Sequence, residues 1–312
     1  MFFLVTFSYG QFSLTIDRIG GAKKAGEVNS IRVVLLHNGT AVNTIERKLP
    51  FDVPFPASYI NGTTGIFVLS YPFDGFVEVY SSTGNKIWEQ NFFKEMGPNY
   101  ERTITVALGK NSISFLTSDV HLPNALVHKY TIDGAKQWET VLPFSMGYEI
   151  ALSPDEQTII AGSYFVLEDE VRQSSSMIDA QGIIMGNIDL LFRKAVFSDD
   201  DSFVALTTGN EIVLVSNESK KEIRRIRKQT SGIITDAIWN DNELIVQESN
   251  VITPNDGSFY YSNPVFISYS KELKELSRKT MDDVTFKSSS LRKVGTVIEL
   301  NYEGKSSRIF DK

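Results

Sequence analysis

Leu126 to Tyr164 reads LVHKYTIDGAKQWETVLPFSMGYEIALSPDEQTIIAGSY, and the grammar of this stretch sets the expectation for the whole chain. Leu126 to Tyr130 has the composition of a strand, Asp133-Gly134 that of a turn with glycine supplying a positive φ, and Lys136 to Val141 that of a second strand led by an aromatic. Pro143 to Gly147 makes a corner. Glu149 to Leu152 and Thr158 to Gly162 then form two further strands around the polar turn Ser153-Pro-Asp-Glu156. The stretch therefore holds the last two strands of one small antiparallel sheet and the first two of the next.

The same unit recurs on both sides. Tyr80-Ser-Ser-Thr-Gly84-Asn-Lys86-Ile-Trp88-Glu89 and Tyr130-Thr-Ile-Asp-Gly134-Ala-Lys136-Gln-Trp138-Glu139 share Tyr-x3-Gly-x-Lys-x-Trp-Glu. Less exact copies of the unit turn at Asn38-Gly39, the strongest short-range hairpin signal in the chain, and at Ala180-Gln-Gly182, Asn217-Glu-Ser219, Ser270-Lys271 and Glu303-Gly304. Between them, Ala195 to Leu206 turns at Ser198-Asp-Asp-Asp201 and Asp236 to Val246 turns at Asn240-Asp-Asn242, repeating the Glu149 to Gly162 pattern. Ser58 to Leu69 and Ile104 to Leu116 are less regular copies. Two strands plus two strands per roughly 45 residues, about seven times, predicts an all-β β-propeller of four-stranded blades, with six or eight blades left open. Val33 to Leu36, Ile66 to Leu69 and Ile212 to Val215 are apolar throughout, as strands buried on both faces should be. Ser270 to Met281, SKELKELSRKTM, is read as an outer strand rather than a helical turn.

The Gly-x-Lys-x-Trp-Glu hairpins resemble the repeats of PQQ-like propellers, and SPDEQTIIAGS, Ser153 to Ser163, resembles the inner strands of WD40 or YVTN-type propellers. What that resemblance implies is fold, because propellers host scaffolds, binding proteins and enzymes alike. The chain departs from WD40 repeats in lacking their Gly-His and Trp-Asp pair. The Trp repeat occurs only twice, which counts against a quinoprotein, and the lipid anchor of outer-membrane PQQ-like scaffold proteins would need an N-terminal cysteine.

At 312 residues, residues 11–312 suffice for a single large all-β domain. The formal charge of −7 leaves no basic field for extended nucleic-acid binding, and no apolar run approaches the ~20 residues of a membrane-spanning helix. The absence of cysteine removes disulfides, thiol nucleophiles and cysteine-held metals. Met1 to Phe7, MFFLVTF, precedes Ser8-Tyr9-Gly10; residues 1–10 read either as the end of a secretory signal peptide or as a first strand. The first reading places the protein outside the cell or in a periplasm, the second leaves it in the cytoplasm.

Loops sort unevenly. Turns joining first to second and third to fourth strands are short. The long connections, Pro50 to Ala57, Lys94 to Arg102, Asp119 to Ala125, Tyr164 to Ser175 and Glu248 to Asn263, all fall on the opposite face. The same face is expected to carry Tyr71, Phe73, Tyr148, Tyr164, Phe165, Tyr260 and Tyr261, aromatics suited to recognition, together with His121. His37, His121 and His128 share no metal-ligand spacing, and neither Asp199-Asp-Asp201 nor Glu168-Asp-Glu170 has the spaced acids of a calcium loop. The basic run Lys220 to Lys228 falls where an outermost strand belongs, and its charges protect that edge. The sequons at Asn38, Asn61 and Asn217 are explained by turn composition. No nucleophile elbow, Walker A loop, Rossmann fingerprint or zinc-protease pair is present, and no cofactor or metal is expected. The expected function is non-enzymatic: a binding or scaffold propeller that engages a protein or an extended polymer through the long-connection face. The alternative is a glycan lyase or hydrolase using carboxylates such as Asp74, Asp119 and Glu149.

Overall fold

The computed structural model describes residues 11–20, 29–49, 56–93, 99–168, 170–228, 232–254 and 258–310. All regular structure among them is strand. The readings of residues 1–10, of most of Pro50 to Ala57 and of the first half of Lys94 to Arg102 lie outside the described residues.

Among the described residues, seven antiparallel sheets follow one another in chain order. The first contains β1 (Phe12–Gly20), β2 (Asn29–His37) and β3 (Thr40–Leu49). The second contains β4 (Ala57–Ile60), β5 (Phe67–Tyr71), β6 (Phe76–Tyr80) and β7 (Lys86–Asn91), and the third β8 (Thr103–Leu108), β9 (Ser112–Ser118), β10 (Leu126–Thr131) and β11 (Lys136–Val141). The fourth holds β12 (Met146–Leu152), β13 (Ile159–Leu167), β14 (Glu170–Ile178) and β15 (Ile184–Ile188), and the fifth β16 (Lys194–Phe197), β17 (Phe203–Thr207), β18 (Glu211–Ser216) and β19 (Glu222–Arg227). In the sixth, β20 (Ile233–Asn240), β21 (Glu243–Ile252), β22 (Tyr260–Tyr269) and β23 (Glu275–Thr280) are joined by β24 (Thr285–Phe286), which pairs with β22. The seventh holds β25 (Ser289–Val294), β26 (Val297–Tyr302) and β27 (Lys305–Phe310). Each is an up-and-down meander, and the succession is that of a β-propeller. Ser270 to Met281 supplies the outer strand β23, as its sequence predicts, behind a turn that buries Leu273.

The chain divides into two compact units, Met1–Leu152 with Ser163–Arg172, and Ser153–Gly162 with Gln173–Lys312. In the first unit Ile31, Val33 and Leu35 of β2 pack on Phe67 and Leu69 of β5, and Val77 and Val79 of β6 pack with Ile113 and Phe115 of β9. In the second, Ile212 and Leu214 of β18 pack on Trp239, Val246 and Ile267 of the sixth sheet, while Ile245 and Phe266 face Ile298 and Leu300 of the seventh. Strands β5 and β18 are buried almost throughout, as their unbroken apolar runs require. Strand β2 differs from expectation: Val34 and Leu36 are only half-buried, so it alternates like a strand packed on one face.

The repeated motif acts between sheets. Gly84 and Gly134 hold φ of 78° and 94° in their turns. The Trp88 indole donates to the carbonyl of Ile132 at 2.8 Å and stacks on Tyr130 at 5.3 Å, so the tryptophan of one copy rests on the tyrosine and turn of the next. A Cβ at Gly134 would stand 2.8 Å from the Trp88 ring. The serine turns also share one chemistry. Ser153 Oγ donates to Asp155 Oδ1 and Ser198 Oγ to Asp200 Oδ1, and each serine Oγ accepts the N–H five residues on, from Thr158 and Phe203.

Two long connections are not loops. Tyr164 to Ser175 is almost wholly strand, because β13 and β14 run on to a turn at Glu168, whose φ is 51°. Glu248 to Asn263 begins and ends in strand, with Glu248 to Ile252 in β21 and Tyr260 to Asn263 in β22. Both are β-arms that extend their sheets.

Candidate functional site

Each sequence-predicted residue has a distinct setting. Tyr71 ends β5 with 4% of its surface exposed, stacked on Phe76 at 4.5 Å beneath the Arg47 guanidinium. It belongs to the core. Phe73 is half-buried and leans on the exposed Tyr100 at 4.2 Å. His121 stands in the turn after β9, its N–H donating to Asp119 Oδ1 and its ring 3.9 Å from Glu101. Tyr148 and Tyr164 meet edge to face at 6.4 Å, and Phe165 follows on the first arm. Tyr260 lies under the Lys287 ammonium, and Tyr261 packs against Phe286 of β24.

The arms bring apolar surface into solvent. Phe165, Val166, Leu167 and Val171 are exposed by 40, 53, 54 and 56%. Because successive strand residues point to opposite faces, three consecutive exposed positions mean that both faces of this ribbon are bare. On the second arm Val251, Ile252 and Phe259 are exposed by 40, 42 and 64%.

At the base of the second arm the strands are irregular. Pairing with β22 steps from Glu248↔Val265 to Asn250↔Ser262, leaving Ser249 without a partner on that strand while it pairs with Ile233 on β20, and Asn263 takes a φ of 48°. A cavity of about 110 Å³ opens there, lined by Gly232, Glu248, Ser249, Asn250, Asn263, Val265 and Arg278. Glu248 is 4% exposed and in ion-pair contact with Lys228, whose side chain is 7% exposed and enters from the end of the fifth sheet. Glu248 Oε1 has no hydrogen-bond partner. Burial and then the positive Arg278 push the Lys228 ammonium below its ordinary value, while the touching carboxylate pulls the other way. Arg278 is itself held by Glu275 through Nε and Nη2, and the Asn263 side-chain oxygen accepts the N–H of Asp283. None of the cavity residues was singled out in the sequence as a site. Lys228 appeared there only as the last member of a basic run, in which Arg225 and Arg227 turn out to pair with Glu211.

A third arrangement has the order of an acyl-transfer relay. On the third sheet Thr117 Oγ1 lies 2.9 Å from His128 Nε2, and Nδ1 of the same ring lies 3.0 Å from Glu139 Oε2. Thr117 is 2% and His128 6% exposed, under Phe92, so a substrate carbonyl has no approach to the hydroxyl. Burial holds the imidazole neutral, its pKa lowered to about 4.

The carboxylates of the enzymatic alternative each have a different setting. Burial raises Asp74, with Arg47 opposing. Burial also pushes Asp119 up, but the His121 N–H and the Arg102 guanidinium outweigh it and hold Asp119 below the carboxylate range. Glu149 is raised by burial, and its charge adds to the burial that lifts the Tyr59 phenol to about 12. Each carboxylate thus answers to its own partner rather than to another acid. Among the described residues no group of three acids or histidines could hold a metal ion, and no helix is long and apolar enough to cross a membrane.

No family model matches the sequence, and no curated protein matches it either. Solved structures do share the fold. A chain in the crystal structure of the mitotic checkpoint complex superposes with a TM-score of 0.58, over 90% of this chain and 86% of its own, at 12% identity. A chain of hydrazine synthase from Kuenenia stuttgartiensis gives 0.56, over 82% and 76%, at 13% identity. Likeness at such identity establishes the β-propeller fold alone.

Proposed function

We propose that this β-propeller is a non-enzymatic binding protein that docks a protein partner on the apolar tip of a β-arm. The observation that carries the reading is the run Phe165, Val166 and Leu167, exposed on both faces of a ribbon with Val171 on its return strand. An isolated two-stranded ribbon is marginal in water, and contiguous apolar surface on a soluble protein marks an interaction site. Single exposed residues elsewhere, such as Val42 or Val141, need no such account. The separate settings of Asp74, Asp119 and Glu149 and the closed Thr117–His128–Glu139 row favour binding over catalysis.

The test is capture from an extract of the source organism, with the native chain and with two arm variants as baits. One variant carries Phe165→Ser, Val166→Ser and Leu167→Ser, and the other Phe259→Ser. These positions are 40 to 64% exposed and surface substitutions of this kind usually change stability by no more than about 0.5 kcal/mol each, so circular dichroism and thermal melting should stay close to the native chain. A protein held by the native bait and lost from either variant supports the proposal. Identical recovery from all three baits overturns it.

A further inference from the structure

The first arm carries an unpaired strand edge. Strand β15 pairs with β14 only from Ser175 to Ile178, so among the described residues Glu170 to Ser174 have no neighbouring strand on that side. We infer that a second copy of this chain takes that place: two first arms pair antiparallel through their β14 edges, about a two-fold axis at Val171, and form one sheet across a homodimer. The inference names the occupant of an arm and so rests on the docking reading above.

Three observations carry it. The first is the bare edge itself. Alternate residues of such an edge turn their N–H and C=O outward, which is the template for adding a strand. Glu170, Val171 and Arg172 are all exposed, and Glu170 to Ser174 reads EVRQS, with neither proline nor lysine to guard the edge. The second is apolar surface. Val171 is 56% exposed on this strand, and Phe165, Val166 and Leu167 are bare on the other strand of the ribbon. Two strands standing alone are marginal in water, whereas two from each copy make a four-stranded sheet.

The third is the order of charges. Glu170 and Arg172 flank Val171 with opposite signs, and two residues apart on a strand they share one face. Antiparallel pairing about Val171 sets Glu170 of each copy opposite Arg172 of the other, with the two valines opposite each other on the other face. Arg172 already donates to Glu170 of its own strand through Nε and Nη2, at 3.2 and 3.3 Å, with the side chains 60 and 62% exposed. A pair so exposed is worth little alone and is free to join a row of four alternating charges across the axis. Two charges of one sign would make the edge repel its own copy, and in-register parallel pairing would set Glu170 beside Glu170. The same patch serves both copies, so the association closes at two.

The experiment is analytical ultracentrifugation of the full chain between about 1 and about 300 µM, a range that brackets the Kd on the order of 10 µM expected of so small an interface. The native chain should pass from monomer to dimer. Arg172→Glu makes both edge charges negative and Glu170→Arg makes both positive, and each should weaken the dimer about tenfold. Mixed one to one, these two variants should form a heterodimer. The double change Glu170→Arg with Arg172→Glu restores opposite signs about Val171 and should dimerise as the native chain does. Both side chains are more than half exposed, so circular dichroism and thermal melting should show every variant folded. A chain that stays monomeric at the highest concentration overturns the inference. So does a dimer that Arg172→Glu leaves intact, which would put the contact elsewhere, and so does a double change that fails to restore it. A monomeric result leaves the docking reading to its own test, in which loss of a different protein from the serine-substituted bait upholds it.

Discussion

Lowering the pH from about 7.5 to about 5 should cost the first compact unit roughly 2 kcal/mol through His128 alone. The ring is 6% exposed between Thr117, Glu139 and Phe92, and burial lowers its pKa from 6.5 to about 4. A folded value below the unfolded one means that the contribution is complete above 6.5 and is lost as the pH falls toward 4. At pH 5 an unfolded chain with a pKa of 6.5 is almost fully protonated at this ring, while the folded chain is about one-tenth protonated. The integrated difference is about 1.5 decades, or about 2 kcal/mol at 1.36 kcal/mol per decade. For a unit of this size that is a melting shift of about 4–8 °C. Trp88 on β7 and Trp138 on β11 flank the same sheet and report its unfolding by fluorescence. The measurement is urea denaturation at both pH values for the native chain and for His128→Gln, which is less stable at pH 7.5 but should have lost this share of the pH dependence. Equal losses in the two proteins on acidification would refute the idea that the fold holds His128 neutral.

Two further outcomes follow from single contacts. Gly134→Ala places a Cβ 2.8 Å from the Trp88 ring at a backbone φ of 94°, and should lower stability by about 2 kcal/mol with a shift in Trp88 emission, read by fluorescence-monitored urea titration. Lys228→Met strands the Glu248 carboxylate at 4% exposure and should cost about 3 kcal/mol, whereas the double change Lys228→Met with Glu248→Leu should recover most of it. A double variant no more stable than the single one, by thermal melting, would mean that the pair is not a buried ion pair.

The parts of the fold that could be read from the sequence are those whose cause is local. A hairpin needs its turn residues at fixed offsets, so Gly84 and Gly134 with their φ of 78° and 94°, and Ser153 with Asp155, announce themselves without reference to the rest of the chain. The tryptophan repeat was visible, but its role was not. That Trp88 bonds to Ile132 of the following copy depends on how adjacent sheets stack, and no spacing along the chain encodes that. The arms were misread as loops for a physical reason. A strand advertises itself by burying alternate residues, and Phe165, Val166 and Leu167 bury neither face. On the second arm the break in alternation has another source: the irregular pairing at Ser249 and Asn263 resets which residues share a face. Tyr71 was assigned to a recognition surface because it adjoins a turn, yet its neighbours Arg47 and Phe76 come from other strands and close over it.

The same distinction argues where function resides. Sheet strands such as β5 and β18 are buried on both faces, and substitution there is limited by packing density. Nothing in that packing requires Leu167 or Phe259 to be apolar, because neither rests on a core. Features that cost the free chain stability persist where something outside the chain repays them. By that criterion the arm tips are set apart from the Thr117–His128–Glu139 row, whose imidazole lies buried within its own sheet, 2.9 Å from the hydroxyl and 3.0 Å from the carboxylate.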